Sequence, residues 1–262
     1  MTRNFPVEDV ANAGELTRIV DKLEERVTNH IKFFWVVVGF GFLWLGSVTA
    51  LLIRVDSNVN QVQRASADAP ARIVASLLDG QSIDKYNAPQ RLAAAASILK
   101  TEKPGIMRPS PGALKKTASD ILSAQSKFPD LPEVWQATSA FVNYKSDSTL
   151  AANASAYKSI NRPCGVNFTQ TPSAMIYSHC EVDLETAEER FHDNSVNGVP
   201  IPIVFVDCAV HYKGGRLYRQ PVIFQRSLLR FDVGAPPPPL GVAAMEQLTK
   251  AAPDQDTITI SL

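Results

Sequence analysis

Three ten-residue lines of the chain repeat one pattern: "IYSHCEVDLE" at 176–185, "VFVDCAVHYK" at 204–213 and "IFQRSLLRFD" at 223–232. In register, one alternating set runs Ile176, Ser178, Cys180, Val182 and Leu184. The second runs Val204, Val206, Cys208, Val210 and Tyr212, and the third Ile223, Gln225, Ser227, Leu229 and Phe231. The other parity carries His179, Glu181 and Asp183, then Asp207, Ala209 and His211, then Arg226, Leu228 and Arg230. Successive side chains of a strand point to opposite faces, so each line is predicted to be a strand with one buried face. The lines are offset by 28 and 19 residues. Offsets near twenty suit one coil of a parallel β-solenoid, with like residues stacked about 4.8 Å apart. The longer offset holds an excursion, "TAEERFHDNSVNGVP".

Two of the lines carry both a cysteine and a histidine, which raises the question of a metal centre. Stacking puts Cys180 and Cys208 in one buried slot that Ser227 takes in the third line. His179 and His211 have the opposite parity, so the ligands do not converge, and neither a metal nor a cofactor is expected. Outside the cytoplasm a disulfide between Cys180 and Cys208 is open to the chain and would leave Cys164 free.

The best acid–base candidates lie on the outer parity, with His192 and Asp193 in the excursion beside them. Stacking sets His179 beside Asp207 and Asp183 beside His211, pairs suited to proton transfer. Such pairs are also ordinary contacts between strands. The sequence holds no nucleophile elbow, phosphate loop, HExxH or dinucleotide glycine motif. No catalytic residue is therefore assigned; an enzyme would have to work through His179, Asp183, Asp207 and His211.

The aromatic–x–x–Cys core (Phe205, Cys208) and the double glycine after the strand (Gly214–Gly215) resemble short parallel β-helix modules of uncharacterised bacterial membrane-anchored proteins. The resemblance covers roughly 170–235 and implies architecture rather than activity. The alternative is an antiparallel β-sheet head, with "HYKGGRLY" as a hairpin around Gly214–Gly215. After "PPPP" at 236–239, a stiff extended connection, "LGVAAMEQLTKAA" reads as a helix and "DTITISL" as a strand. Together they would cover an open solenoid end.

Upstream, 33–53 ("FFWVVVGFGFLWLGSVTALLI") carries no charge. Its 21 residues rise about 32 Å as a helix, enough to cross a bilayer. Thirty-two residues with six acidic side chains precede it, unlike a cleaved signal peptide. Arg18, Lys22, Arg26 and Lys32 on the first side outnumber Arg54 and Arg64 on the second. The expected protein is thus a single-pass cell-membrane protein with a cytoplasmic N-terminus and an extracytoplasmic C-terminal region. Leu16, Val20, Leu23, Val27 and Ile31, then Val55, Val59 and Val62, form apolar seams compatible with a coiled coil and self-association. Gly46 and Ala50 would permit close helix approach.

Between these parts the spacing is helical. Leu92, Ala95, Ala96 and Leu99 share a face, as do Leu114, Ala118, Ile121 and Leu122, and then Val134, Trp135, Thr138, Phe141 and Val142. Pro104, Pro109, Pro111, Pro129 and Pro132 break the chain between them. The expected fold class is α+β: one transmembrane helix, a small helical array and a short C-terminal parallel β-solenoid. The expected divisions are a cytoplasmic amphipathic helix (1–32), the membrane helix (33–53), a stalk (54–69), a helical region (70–160) and a β-rich domain (161–262).

The chain has 26 basic and 26 acidic residues and no basic run, which speaks against nucleic acid as a partner. The expected function is a membrane-anchored interaction or scaffold protein that presents its β-rich head to a protein or cell-envelope partner outside the cytoplasm. A membrane-tethered hydrolase of cell-envelope polymers and a single-pass sensor are the alternatives.

Overall fold

A computed structural model of the chain describes residues 8–79, 83–101, 108–150, 162–165, 168–191, 193–196, 198–252 and 257–261. His192 and the domain boundary expected near 160 lie outside them, as does the side chain of Ala50. Residues 1–61 and 62–262 are two separate units.

Helix α1 (Glu8–Leu77) runs without interruption through Pro70. Phe33, Phe34, Trp35, Phe40, Phe42 and Trp44 on it are exposed. Among the described residues, no helix is long and apolar enough to cross a membrane. A span needs about twenty consecutive apolar residues. The expected transmembrane helix at 33–53 is therefore withdrawn, and single-pass anchoring and its orientation lose their basis.

In the second unit, the end of α1 packs with α2 (Ala88–Thr101), α3 (Pro111–Lys127) and α4 (Pro132–Leu150), in the positions the apolar spacing predicts. Ser110 caps α3, accepting the Ala113 N–H, with Pro111 at the first helical position. The same serine donates its hydroxyl (2.9 Å) and its N–H (2.6 Å) to Asp68, which ties α3 to α1. Helix α4 serves two cores. Val134, Ala137, Phe141 and Tyr144 enter the helical core, while Trp135 and Val142 enter the core of the sheets.

The three matched lines lie side by side in the register the sequence sets. Strands β2 (Met175–Ser178), β6 (Ile203–Val206) and β8 (Pro221–Gln225) run parallel, aligning Ile176 with Val204 and Val204 with Ile223. Strands β3 (Glu181–Asp183), β7 (Ala209–Tyr212) and β9 (Leu228–Phe231) follow, aligning Asp183 with His211 and His211 with Arg230. Between the two sheets each line turns a corner on a residue with positive φ: His179 (54°), Asp207 (51°) and Arg226 (46°). The corner shifts the alternation. After it, Cys180, Cys208, Val210 and Leu229 point inward, as the sequence predicts. Before it, the opposite parity is buried: Tyr177, Phe205 and Phe224 stack with ring centroids 5.6 Å apart at each step.

The lines do not close into a solenoid. After β3 the chain enters helix α5 (Leu184–Phe191), and between β7 and β8 it runs through an irregular loop. Neither connection adds a stacked strand, so two sheets meet at an open corner. The first sheet, in the order β1-β2-β6-β8-β10, is mixed: β1 (Thr169–Gln170) and β10 (Thr257–Ser261) pair antiparallel at its edges. The result is an α+β fold, with a mixed sheet in place of the expected β-solenoid. The hairpin around Gly214–Gly215 does not form either, because both neighbours of β7 are parallel to it. A short hairpin, β4 (Ser195–Val196) with β5 (Val199–Pro200), occupies the excursion.

The final strand covers β8, as the C-terminal pattern suggests. The second sheet is closed differently. Ser139 and Ser146 of α4 accept the N–H groups of Val233 (3.0 Å) and Leu229 (2.9 Å), and Asn143 bonds Phe231. An open strand edge needs such partners, and here helical side chains supply them. The C-terminal helix α6 (Pro239–Lys250) packs against the sheet core through Ala244, Met245 and Leu248.

Candidate functional site

The corner brings the sequence-predicted candidates together on its two sides. Outside lie His179, Asp207 and Arg226, one from each line at equivalent positions. Glycine adopts positive φ most easily, whereas other residues are strained there. Three charged or ionisable residues, one per line, thus share this backbone conformation at the corner. Arg226 grips Asp207 with two bonds, Nε to Oδ1 at 2.9 Å and Nη2 to Oδ2 at 2.8 Å. This guanidinium holds the Asp207 carboxyl below its ordinary value against the opposing effect of burial, and His179 adds to the shift.

The neighbours foreseen from stacking are in place, but the ion pairs differ. Asp183 and His211 are in register. His211 Nε2 nevertheless meets Glu181 Oε1 at 2.9 Å, and Asp183 faces Lys213 at 3.7 Å. Arg230 reaches Asp147 of α4 at 2.8 Å. Asp207 and Asp183 thus each face a cationic side chain, and His211 Nε2 is within hydrogen-bond reach of the Glu181 carboxylate.

Inside the corner sit the sulfurs. Cys164 and Cys180 form a disulfide, which corrects the expectation of a free Cys164. The Cys208 sulfur lies 3.9 Å from that of Cys180, forms no disulfide and donates to the Val206 carbonyl at 3.3 Å. Cys164 joins them because 162–164 runs along the open edge of β3: Glu181 N–H bonds the Arg162 carbonyl and Cys164 N–H the Glu181 carbonyl, each at 2.9 Å. Burial pushes the Cys208 thiol up. Ser227 occupies the equivalent slot in the third line, where its hydroxyl accepts the Cys208 N–H at 3.2 Å.

Two buried ionisable groups gave no sequence signal. Lys145 of α4 is 5% exposed and donates to the carbonyls of Leu248 (2.5 Å), Ala251 (2.7 Å) and Thr249 (3.2 Å) at the end of α6. A cation there complements the helix dipole, while burial pushes the ammonium down to about 8. A cavity of about 520 Å³ lies beside it, lined by Leu114, Ala118, Leu122 and Lys115 among others, and by none of His179, Asp183, Asp207 and His211. Glu188 of α5 is fully buried and accepts the Tyr218 N–H at 2.6 Å. Burial pushes its carboxyl up to about 8, and Glu185 nearby acts in the same direction. Glu185 itself accepts the N–H groups of Lys213 (2.8 Å) and Gly215 (3.1 Å). The two glutamates, one turn apart, therefore pin the loop that follows β7.

No protein-family model matches this chain, and no curated protein or solved structure matches it either.

Proposed function

We propose that residues 62–262 act as a protein-interaction module whose contact surface is the outer corner of the stacked lines. The observation that carries this reading is the array of His179, Asp207 and Arg226, held at positive φ and cross-linked by the Asp207–Arg226 pair. A surface ordered before contact loses little conformational entropy on binding. Its mixed charge, flanked by Glu181, Asp183, His211 and Lys213, favours a partner surface of mixed charge over a polyanion.

The ion partners of Asp207, His211 and Asp183 favour binding over catalysis, because a general base needs reach to a substrate proton. The test is photo-crosslinking in the native cell, with the crosslinking residue placed at Arg226 or Asp183 and a control at Lys116 of α3. The reading expects one discrete protein adduct from the corner positions and not from the control. Identical adducts at all three positions would sink it. So would hydrolysis of a cell-envelope polymer by the purified protein that disappears in the His179→Ala, His211→Ala double variant.

A further inference from the structure

The three cysteines are the only ones in the chain, and all three are buried with their sulfurs within 4.8 Å of one another. Distant stretches of sequence deliver them: Cys164 from the strip beside β3, Cys180 and Cys208 from the corners of two lines. The Cys208 thiol is not placed for in-line exchange with the disulfide. With an S–S bond of about 2.05 Å, a nucleophile in line at the Cys180 sulfur would stand about 6 Å from the leaving sulfur. The sulfurs of Cys164 and Cys208 are closer than that. Cys208 lies beside the bond, and the three sulfurs form a triangle.

We propose that reduction of the Cys164–Cys180 disulfide turns this triangle into a binding site for one thiophilic monovalent cation, of the copper(I) type. A dithiol reductant supplies two electrons and two protons. The Cys164–Cys180 bond breaks, both residues become thiols, and the reductant is oxidised to its own disulfide. The cation then bonds the three sulfurs, each bond displacing one thiol proton to solvent, and its oxidation state does not change.

With the disulfide opened, a triangle whose three edges match the 3.9 Å Cys180–Cys208 contact would have its centre about 2.25 Å from each corner, close to a metal–thiolate bond of about 2.3 Å. Thiolates favour soft cations such as copper(I). Zinc, by contrast, takes four ligands in structural sites. Among the described residues, no fourth cysteine, histidine or carboxylate joins the cluster. The Ser227 hydroxyl in the next slot is already committed, bonding the carbonyls of Phe205 (3.0 Å) and Gln225 (3.1 Å). Opening the disulfide also loosens the strip carrying Cys164, which gives the cation a way in.

The test uses the full chain, reduced with dithiothreitol and desalted without oxygen, then offered copper(I) as its bicinchoninate complex. The site predicts transfer of one copper per chain and protection of all three cysteines from iodoacetamide, read by peptide mass spectrometry. The oxidised protein takes none, and zinc(II) offered in the same way is not retained. Cys208→Ser weakens copper retention at least tenfold. Serine already fills the equivalent slot at Ser227, so this variant keeps the packing, and it still forms the Cys164–Cys180 disulfide on oxidation. The protection experiment needs no variant at all. Failure of the reduced chain to take copper, alkylation of any of the three cysteines in its presence, undiminished retention by Cys208→Ser, or equal retention of zinc each overturns the proposal.

Discussion

The Asn143 side chain pairs with both backbone groups of Phe231: Nδ2 donates to the carbonyl at 2.8 Å and Oδ1 accepts the N–H at 2.7 Å. A helical amide thus stands where the backbone of a further strand would otherwise bond. Ser139 and Ser146, four residues before and three after it, extend the same helical stripe along the edge.

Asn143→Ala leaves both Phe231 groups without a partner at a mostly buried edge. Each orphaned group costs about 1–3 kcal/mol, so the variant is expected to lose about 2–4 kcal/mol in urea unfolding. Ser139→Ala, with one orphan, loses about half as much. A loss under about 1 kcal/mol for Asn143→Ala would mean that water or a shifted strand takes over the edge.

Reduction should lower stability through the disulfide. Cys164 and Cys180 are 16 residues apart, and closing a loop of that size stabilises a fold by about 3 kcal/mol. The wild-type chain is expected to melt lower with reductant present, whereas the Cys164→Ser, Cys208→Ser double variant, left with one cysteine, melts at one temperature with or without it. A wild-type melting temperature indifferent to reductant contradicts the expectation.

Glu188 makes stability depend on pH with a definite sign. Its folded value, about 8, lies above the ordinary 4.5. Below the unfolded value both states hold the proton, and the contribution is fully present. As pH rises toward 8 the unfolded chain releases a proton that the folded chain keeps, so stability falls. The fall amounts to several kcal/mol, because each tenfold difference in proton affinity between the folded and unfolded chain is worth about 1.4 kcal/mol. Glu188→Gln should flatten the profile between pH 5 and 8 while still accepting the Tyr218 N–H. Parallel wild-type and variant profiles would show that Glu188 does not carry the effect.

The corner residues can be tested through their backbone. Positive φ disfavours side chains by about 1–2 kcal/mol, most of all when they branch at Cβ. His179→Gly is expected to stay within about 1 kcal/mol of wild type, because relief of strain is offset by the freer unfolded chain. His179→Val is expected to lose about 1–2 kcal/mol. Equal stability for the two variants, in urea unfolding, would mean the corner relaxes when substituted.

Alternation and spacing alone determined the helices from 88 to 150, the three strand lines and their register, down to Asp183 beside His211. Those patterns are local or repeated, and repetition fixes register because like residues must stack. The alternation before each corner misled, since a single residue at positive φ changes the parity and leaves no compositional trace in His179, Asp207 or Arg226. Closure was decided by tertiary structure: helix α5 and the loop after β7 stand where a solenoid would place strands. The pairing of Cys164 with Cys180, the burial of Lys145 against the end of α6 and the Asn143–Phe231 bond all join segments distant in sequence. Such contacts depend on which surfaces meet once the two cores pack on α4, and periodicity along one segment carries no information about its distant neighbour.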